Sequence, residues 1–439
     1  MNEPDRSFRL EILNKYPMQV YKFGGASVKN ADAVRNILPI LKKTTENTVV
    51  VISAMGKTTN ALERLTDRYV RSDAEAVEAV FEQVKNYHLE ILRSLFNDQG
   101  HPVFGEVDTL FEHLAERLQE EPSLNYDYDY DQVIGYGEML STRIIARYLE
   151  EAGLPSRWLD IRRSLKTDNT FREGKVDWEL SSELIRKHFV FEEENVLITQ
   201  GFLGSNRNNQ TVSLGREGSD YTAAILAYIL DAGQVTIWKD VPGVLNADPK
   251  YFDDTILLKQ LSYLDAIELA YYGASVIHPK TIKPLQNRNI SLFVRSFLDS
   301  GAPGTVIGNL VYDTLEPSFI FKMDQVLLRI SPHDFSFITE DNLERIFGIL
   351  HANGMKINLM QNSAVSFLVA VNHHKEKLRS VVDALETSFR VSYETGLELI
   401  TIRYFDEQTI RRVMINKTLI LEQRGTQNIQ LLVRDDGMG

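Results

Sequence analysis

Short continuous apolar blocks alternate with stretches of helical spacing through the longer, N-terminal part of the chain. Residues 18–23 form such a block and predict a buried strand. Val34, Ile37, Leu38 and Leu41 recur at helical spacing and predict a helix over residues 29–43. Val49, Val50, Val51 and Ile52 are all β-branched, as expected of a parallel strand covered on both faces. Residues 60–120 predict three helices with apolar stripes and no chemical motif. The alternation from Tyr126 to Asp131 predicts a solvated loop, and an apolar helix follows it to about Leu149. Further strands are predicted at 157–160, 196–199, 235–238 and 291–294. Helices are predicted to end near 189, 230, 272 and 287. This alternation predicts an α/β class with a mostly parallel sheet.

The pattern changes after Phe319. Strands at 326–330, 357–360, 365–371 and 389–393 enclose two helices, at 341–352 and 375–387. The order is βαββαβ, the ferredoxin-like arrangement. A shorter unit follows, with strand 399–404, helix 407–415 and strands 418–422 and 429–433. It lacks a second helix and a last strand. The expected division is therefore 1–310, 319–396 and a truncated copy at 397–439.

Composition narrows the function. The 439 residues carry a net charge of −13 and contain no cysteine. Disulfide scaffolds, cysteine zinc sites and thiol catalysis are excluded. No basic stripe suits nucleic acid, no apolar run reaches a membrane span, and residues 1–16 lack an apolar signal core. The expectation is a cytoplasmic protein that binds neither nucleic acid nor membrane. An acidic protein that handles anions must gather positive charge locally, so the Lys, Arg and glycine turns matter most.

Two turns combine those features. Val20-Tyr21-Lys22 rises into Gly24-Gly25-Ala26-Ser27, and Leu214-Gly215-Arg216-Glu217-Gly218-Ser219-Asp220 opens the helix from Tyr221. A strand, a glycine turn and a helix start make an anion site through free backbone N–H groups. A third small-residue loop begins at Ser53, at the carboxyl end of strand 49–52, the edge where ligands bind in open α/β sheets. Two cations suit a polyphosphate donor beside an anionic acceptor, since phosphoryl transfer needs mainly positioning and charge neutralisation. Plainer roles remain open for each residue. Glu138 could serve only the helix dipole, Ser219 only a cap, Asp240 only a turn, and Arg216 only a surface ion pair.

Lys22-Phe23-Gly24-Gly25-Ala26-Ser27 resembles the signature of aspartate kinases, within the amino-acid kinase family. So do Gly137-Glu138, the Leu214–Ala224 segment, Lys239-Asp240-Val241-Pro242-Gly243 and Ile277-His278-Pro279, in the family's order. The tail resembles paired ACT domains. The resemblance implies a three-layer amino-acid kinase domain at 1–310, followed by ferredoxin-like ACT units. It implies transfer of the ATP γ-phosphoryl group to the side-chain carboxylate of L-aspartate, with Mg²⁺ bridging the phosphates. Lys22 would neutralise phosphate oxygens beside Gly24, Gly25 and Ser27. Arg216 would grip an aspartate carboxylate. Glu138, Asp220, Ser219 and Ser53 would complete the substrate site, with Lys22, Arg216 and Asp220 as catalytic residues. Asp240 and Lys280 would join the ATP site, and no protein metal site is implied. Asn358, Asn362 and Ser363 would meet a regulatory amino acid, lysine in preference to threonine. Pairing through the ACT units implies a homodimer or a dimer of dimers.

The sequence departs from that pattern at three places. Ser275 stands where many relatives have lysine, with Lys280 the nearest substitute. Glu217 stands in place of a glycine, and Leu245 in place of an aromatic residue. Two rival expectations stand beside an active aspartate kinase: a kinase acting on a glutamate-type substrate, which Arg216-Glu217-Gly218-Ser219-Asp220 argues against, and an amino-acid sensor that has lost turnover, which Ser275 favours.

Overall fold

The structure, a computed structural model, describes residues 18–274, 277–311, 316–334 and 336–437. The chain divides into two compact units. The first takes in the described residues up to Val244, then Leu257–Ile267 and the described part of 276–311. The second takes in Leu245–Ile256, the described part of 268–275 and the described residues beyond 312. No helix among the described residues is long and apolar enough to cross a membrane.

The first unit is built on an eight-stranded sheet. Its strands are β1 (Met18–Phe23), β2 (Asn47–Ile52), β3 (Ser156–Leu159), β4 (Val196–Gln200), β7 (Gln234–Lys239), β8 (Gln260–Ser262), β9 (Ser291–Ser296) and β10 (Thr305–Gly308). The order is β3-β4-β2-β1-β7-β9-β10-β8. All neighbours are parallel except β9 and β10. A small hairpin of β5 (Leu203–Ser205) and β6 (Thr211–Ser213) stands apart from it. β2 and β4 are buried almost end to end, which accounts for their unbroken apolar composition. Lys22 on β1 lies level with Val51 of β2 and Ile237 of β7. The loops after Phe23, Ile52 and Lys239 therefore open at one edge of the sheet.

Two local expectations fail in this unit. Residues 29–43 form two short helices, Ala31–Arg35 and Ile37–Lys42, after a 3₁₀ turn at Gly25–Val28. Pro39 supplies no N–H, so it fits only the first turn of a helix, and a new helix starts just before it. The Tyr126–Asp131 stretch is no solvated loop but opens a helix, Tyr126–Ile134, capped by the Asn125 side chain. Asp129 and Asp131 are fully buried there. Asp129 is paired at 2.5 Å with Arg117, so its charge is compensated.

The second unit holds a six-stranded antiparallel sheet. Its strands are β11 (Ser318–Pro332), β12 (Ile357–Asn362), β13 (Phe367–Asn372), β14 (Phe389–Arg403), β15 (Lys417–Arg424) and β16 (Asn428–Asp435), in the order β12-β13-β11-β14-β16-β15. The helices Glu340–Ala352 and Lys375–Glu386 complete a βαββαβ unit, with Val326, Leu328, Ile346, Leu350 and Val381 in one core. The strands expected separately at 389–393 and 399–404 form one long strand, β14, which crosses the 396/397 position. Its second half pairs with residues 318–322 of β11. The shorter repeat thus gains a fourth strand from a segment that precedes it in the chain. Ala247 and Phe252 pack with Phe319, Ile400 and Val413 in the core of the same unit.

Candidate active site

The sheet edge of the first unit opens into a cavity of about 850 Å³. Lys22, Ser53, Glu138, Arg216, Ser219 and Asp220 all line it, although they come from four distant parts of the sequence. β1 delivers Lys22, which is 8% exposed, and its Nζ lies 2.7 Å from Asp220 Oδ1. Asp220 sits in the first turn of the helix Gly218–Ile229, where the helix dipole favours a carboxylate. Ser219 precedes it and is buried. Arg216 is exposed, and among the described residues no carboxylate pairs with it. Its cation therefore remains available to an anionic ligand.

The turn that carries Arg216 holds two residues in the left-handed region, Gly215 at φ 77° and Glu217 at φ 53°. Glycine adopts that conformation without a Cβ clash, but a glutamate pays about 1–2 kcal/mol. The Glu217 carboxylate accepts the His278 N–H at 2.8 Å, which offsets that cost. A glutamate is thus tolerated at a left-handed position that favours glycine.

Glu138 is the third residue of the helix Tyr136–Glu151 and is 2% exposed. Its Oε1 accepts the Ala54 N–H at 3.1 Å, while Oε2 has no protein partner. Burial pushes its carboxyl up to about 8, against the pull of the Ala54 amide and the Lys22 charge. A buried carboxylate oxygen left over in a cavity is suited to a ligand ammonium group, which would supply the missing charge and donors.

The other expected ligand residues sit differently. Gly25 lets the first glycine turn back onto the next loop, since a Cβ there would come within 2.8 Å of the Gly56 carbonyl oxygen. Gly24 adjoins the Lys22 amine. The Ser27 hydroxyl donates to the Trp238 carbonyl at 3.1 Å, so it ties the turn to β7. Asp240 is exposed just past β7, and its neighbour Lys239 lines the cavity instead. Lys280 Nζ donates to the Leu214 carbonyl at 3.1 Å, behind the Arg216 turn. Ser275 lies outside the described residues. In the second unit, Asn358 donates to Gln325 and Asn372 and accepts from Lys322, a closed polar network. Asn362 and Ser363 are exposed at the end of β12, with Ser363 turned onto Ser366.

Several cavity residues carry no mark in the sequence. Thr59, Tyr130, Phe202 and the loop Thr170–Glu173 also line it. Thr59 ends the small-residue loop that begins at Ser53, and Phe202 lies between Gly201 and Gly204, so their segments were marked although the residues themselves were not. Tyr130 and the loop Thr170–Glu173 belong to segments given no chemistry. Among the described residues no three acidic or histidine side chains gather as a metal site.

Known proteins resemble this chain in sequence and fold. The model of the amino acid kinase family matches residues 17–296. Lysine-sensitive aspartokinase 3 of Escherichia coli K12 is 30% identical over 404 residues, covering 87% of this chain and 86% of that protein. The crystal structure of E. coli aspartokinase III in complex with aspartate and ADP superposes with a TM-score of 0.80 at 27% identity, covering 95% of this chain and 96% of that one. The structure of the same enzyme with lysine and aspartate matches equally well, at a TM-score of 0.80 and 27% identity over 96% of each chain.

Proposed function

Because the chain belongs to the amino acid kinase family, in its aspartokinase branch, and is an aspartate kinase, we propose that its cavity moves the ATP γ-phosphoryl group onto the side-chain carboxylate of L-aspartate. The observation that carries this assignment is the meeting of Lys22, Arg216 and the orphaned Glu138 oxygen in one cavity. A cation for phosphate, a cation for carboxylate and an anion for ammonium match the charges of the two substrates.

In this proposal Arg216 holds the α-carboxylate through paired hydrogen bonds. Glu138 Oε2 receives the ammonium group, with Ser53 and Ser219 alongside. Asp220 holds the Lys22 amine in place, and Lys22 meets negative charge on the transferring phosphoryl group. A preset charge in a buried site acts without reorganising solvent. A side-chain oxygen of aspartate bonds to the γ-phosphorus as the bond to the β–γ bridging oxygen breaks, giving 4-phospho-L-aspartate and ADP. No general base is required, because the acceptor carboxylate is already ionised at neutral pH. The backbone of Gly24 and Gly25 supports the phosphates, with Asp240 and Lys280 on the nucleotide side and Ser27 holding the turn to β7. Mg²⁺, when bound with ATP, would neutralise phosphate charge.

Kinetics of two variants test the roles. Lys22→Ala is expected to lower kcat at least about tenfold, and Arg216→Ala to raise the aspartate KM by about as much while the ATP KM stays near normal. Near-normal kinetics in either variant contradicts its assigned role.

We further propose that lysine, in preference to threonine, inhibits the enzyme from the Asn358–Ser363 segment of the second unit. The support is the lysine complex of the similar E. coli enzyme. Unchanged initial rates in millimolar concentrations of both amino acids contradict it.

A further inference from the structure

One buried carboxylate beside the cavity has no part in the chemistry above. Asp131 is 0% exposed on the helix Tyr126–Ile134. Its Oδ2 accepts two backbone N–H groups from different segments, Arg172 at 2.8 Å and Ser213 at 2.9 Å. Arg172 is itself in the left-handed region, at φ 66°. A bulky residue keeps such a conformation only where its surroundings hold it there.

The held segment faces the cavity. Thr170, Phe171, Arg172 and Glu173 all line it. The loop is closed at its base, where Thr167 bridges Val176 and Asp168 Oδ1 accepts from Thr170 and Lys175. Its far end is fixed by the Gly174 N–H, which donates to the Ser213 carbonyl at 2.9 Å. Its tip touches the substrate turn, because a Cβ on Gly215 would lie 3.0 Å from the Arg172 carbonyl oxygen. The Arg172 guanidinium pairs with Asp127 at 3.2 Å and lies 4.4 Å from the centre of the Tyr130 ring. One carboxylate thus ties the loop to β6 and backs the turn that presents Arg216.

We propose that Asp131 is a positioning residue for the acceptor side of the cavity: by holding the Arg172 amide it fixes the loop Thr170–Gly174 against the Gly215 turn and so sets the shape in which the acceptor is received. The proposal rests on the assignment of this cavity to aspartate. Asp131 does not touch substrate, so its removal alters acceptor binding more than turnover and leaves the nucleotide side alone.

Four proteins test it: wild type, Asp131→Ala, Asp131→Asn and Arg172→Pro. The asparagine keeps an accepting oxygen of the same reach. The proline removes the N–H that Asp131 accepts and cannot reach φ 66°, in a loop outside the sheet. Asp131→Ala and Arg172→Pro are expected to raise the aspartate KM at least about tenfold, with kcat and the ATP KM within about threefold; Asp131→Asn is expected to stay within about threefold on all counts. Limited trypsin digestion gives a second readout that needs no activity. Cleavage at Lys175 is expected to quicken in the alanine and proline variants and not in the asparagine variant. Should Asp131→Ala fail to fold, Arg172→Pro carries both readouts. An unchanged aspartate KM in folded Asp131→Ala or Arg172→Pro, or unchanged cleavage in either, overturns the proposal. If the wild type phosphorylates no aspartate, the functional assignment fails while the digestion still decides whether Asp131 holds the loop.

Discussion

Glu138 shows how one side chain links binding to stability. Its carboxyl is pushed from an ordinary value of 4.5 up to about 8 by burial. The folded protein therefore holds a proton that the unfolded chain releases between those two values. Stability conferred in this way is complete below about pH 4.5 and is lost as pH rises through about 8. Glu138→Gln is expected to flatten that part of the stability curve, measured by urea denaturation of the ligand-free protein between pH 5 and pH 9. An equal slope in both proteins contradicts the assignment. Aspartate binding runs the other way, because an ionised Glu138 receives an ammonium group better than a neutral one. At this scale much of the site was legible. Lys22 and Arg216 stand out because glycine turns isolate their charges, whereas Glu138 and Asp220 were picked out by the resemblance to aspartate kinases. Asp131 did not stand out, because its neighbours alternate aromatic and acidic residues, a pattern that does not show which carboxylate turns inward. Thr59 and Phe202 were legible only by segment, one at the end of the Ser53 loop and the other between Gly201 and Gly204, while Phe171 and Thr170 matter only through where the fold brings them.

Elements were legible where one face or both faces are uniformly covered. β2 and β4 and the three helices from Thr58 to Gln119 match their apolar patterns. The misses have local causes. Pro39 splits a stretch whose apolar spacing is helical throughout. The helix Tyr126–Ile134 packs Tyr130, Val133 and Ile134 inward, yet its acidic residues mask that stripe. β14 continues where Glu394-Thr395-Gly396 suggests a break, and the register shifts opposite it on β11 absorb the irregularity without ending the ladder. Such shifts depend on the partner strand, so no single segment encodes them. The hairpin of β5 and β6 is too short to show a pattern, although its second strand offers Ser213 to Asp131 and Gly174.

For the whole molecule, the alternation of strands and helices correctly indicated an α/β unit with a mostly parallel sheet and an antiparallel second unit with ferredoxin-like order. The sharing of strands could not be read in order along the chain. Residues 318–322 complete a repeat whose other strands come some eighty residues later or more, and residues 245–256 join the same unit from within the kinase sequence. The central claim is that the first unit phosphorylates aspartate specifically. The most direct measurement is trapping of the acyl phosphate with hydroxylamine, using the purified chain with ATP and Mg²⁺ and either aspartate or glutamate as acceptor. The account predicts hydroxamate from aspartate, formed in step with ADP, and little or none from glutamate. Equal product from glutamate, or no product from aspartate, would contradict it.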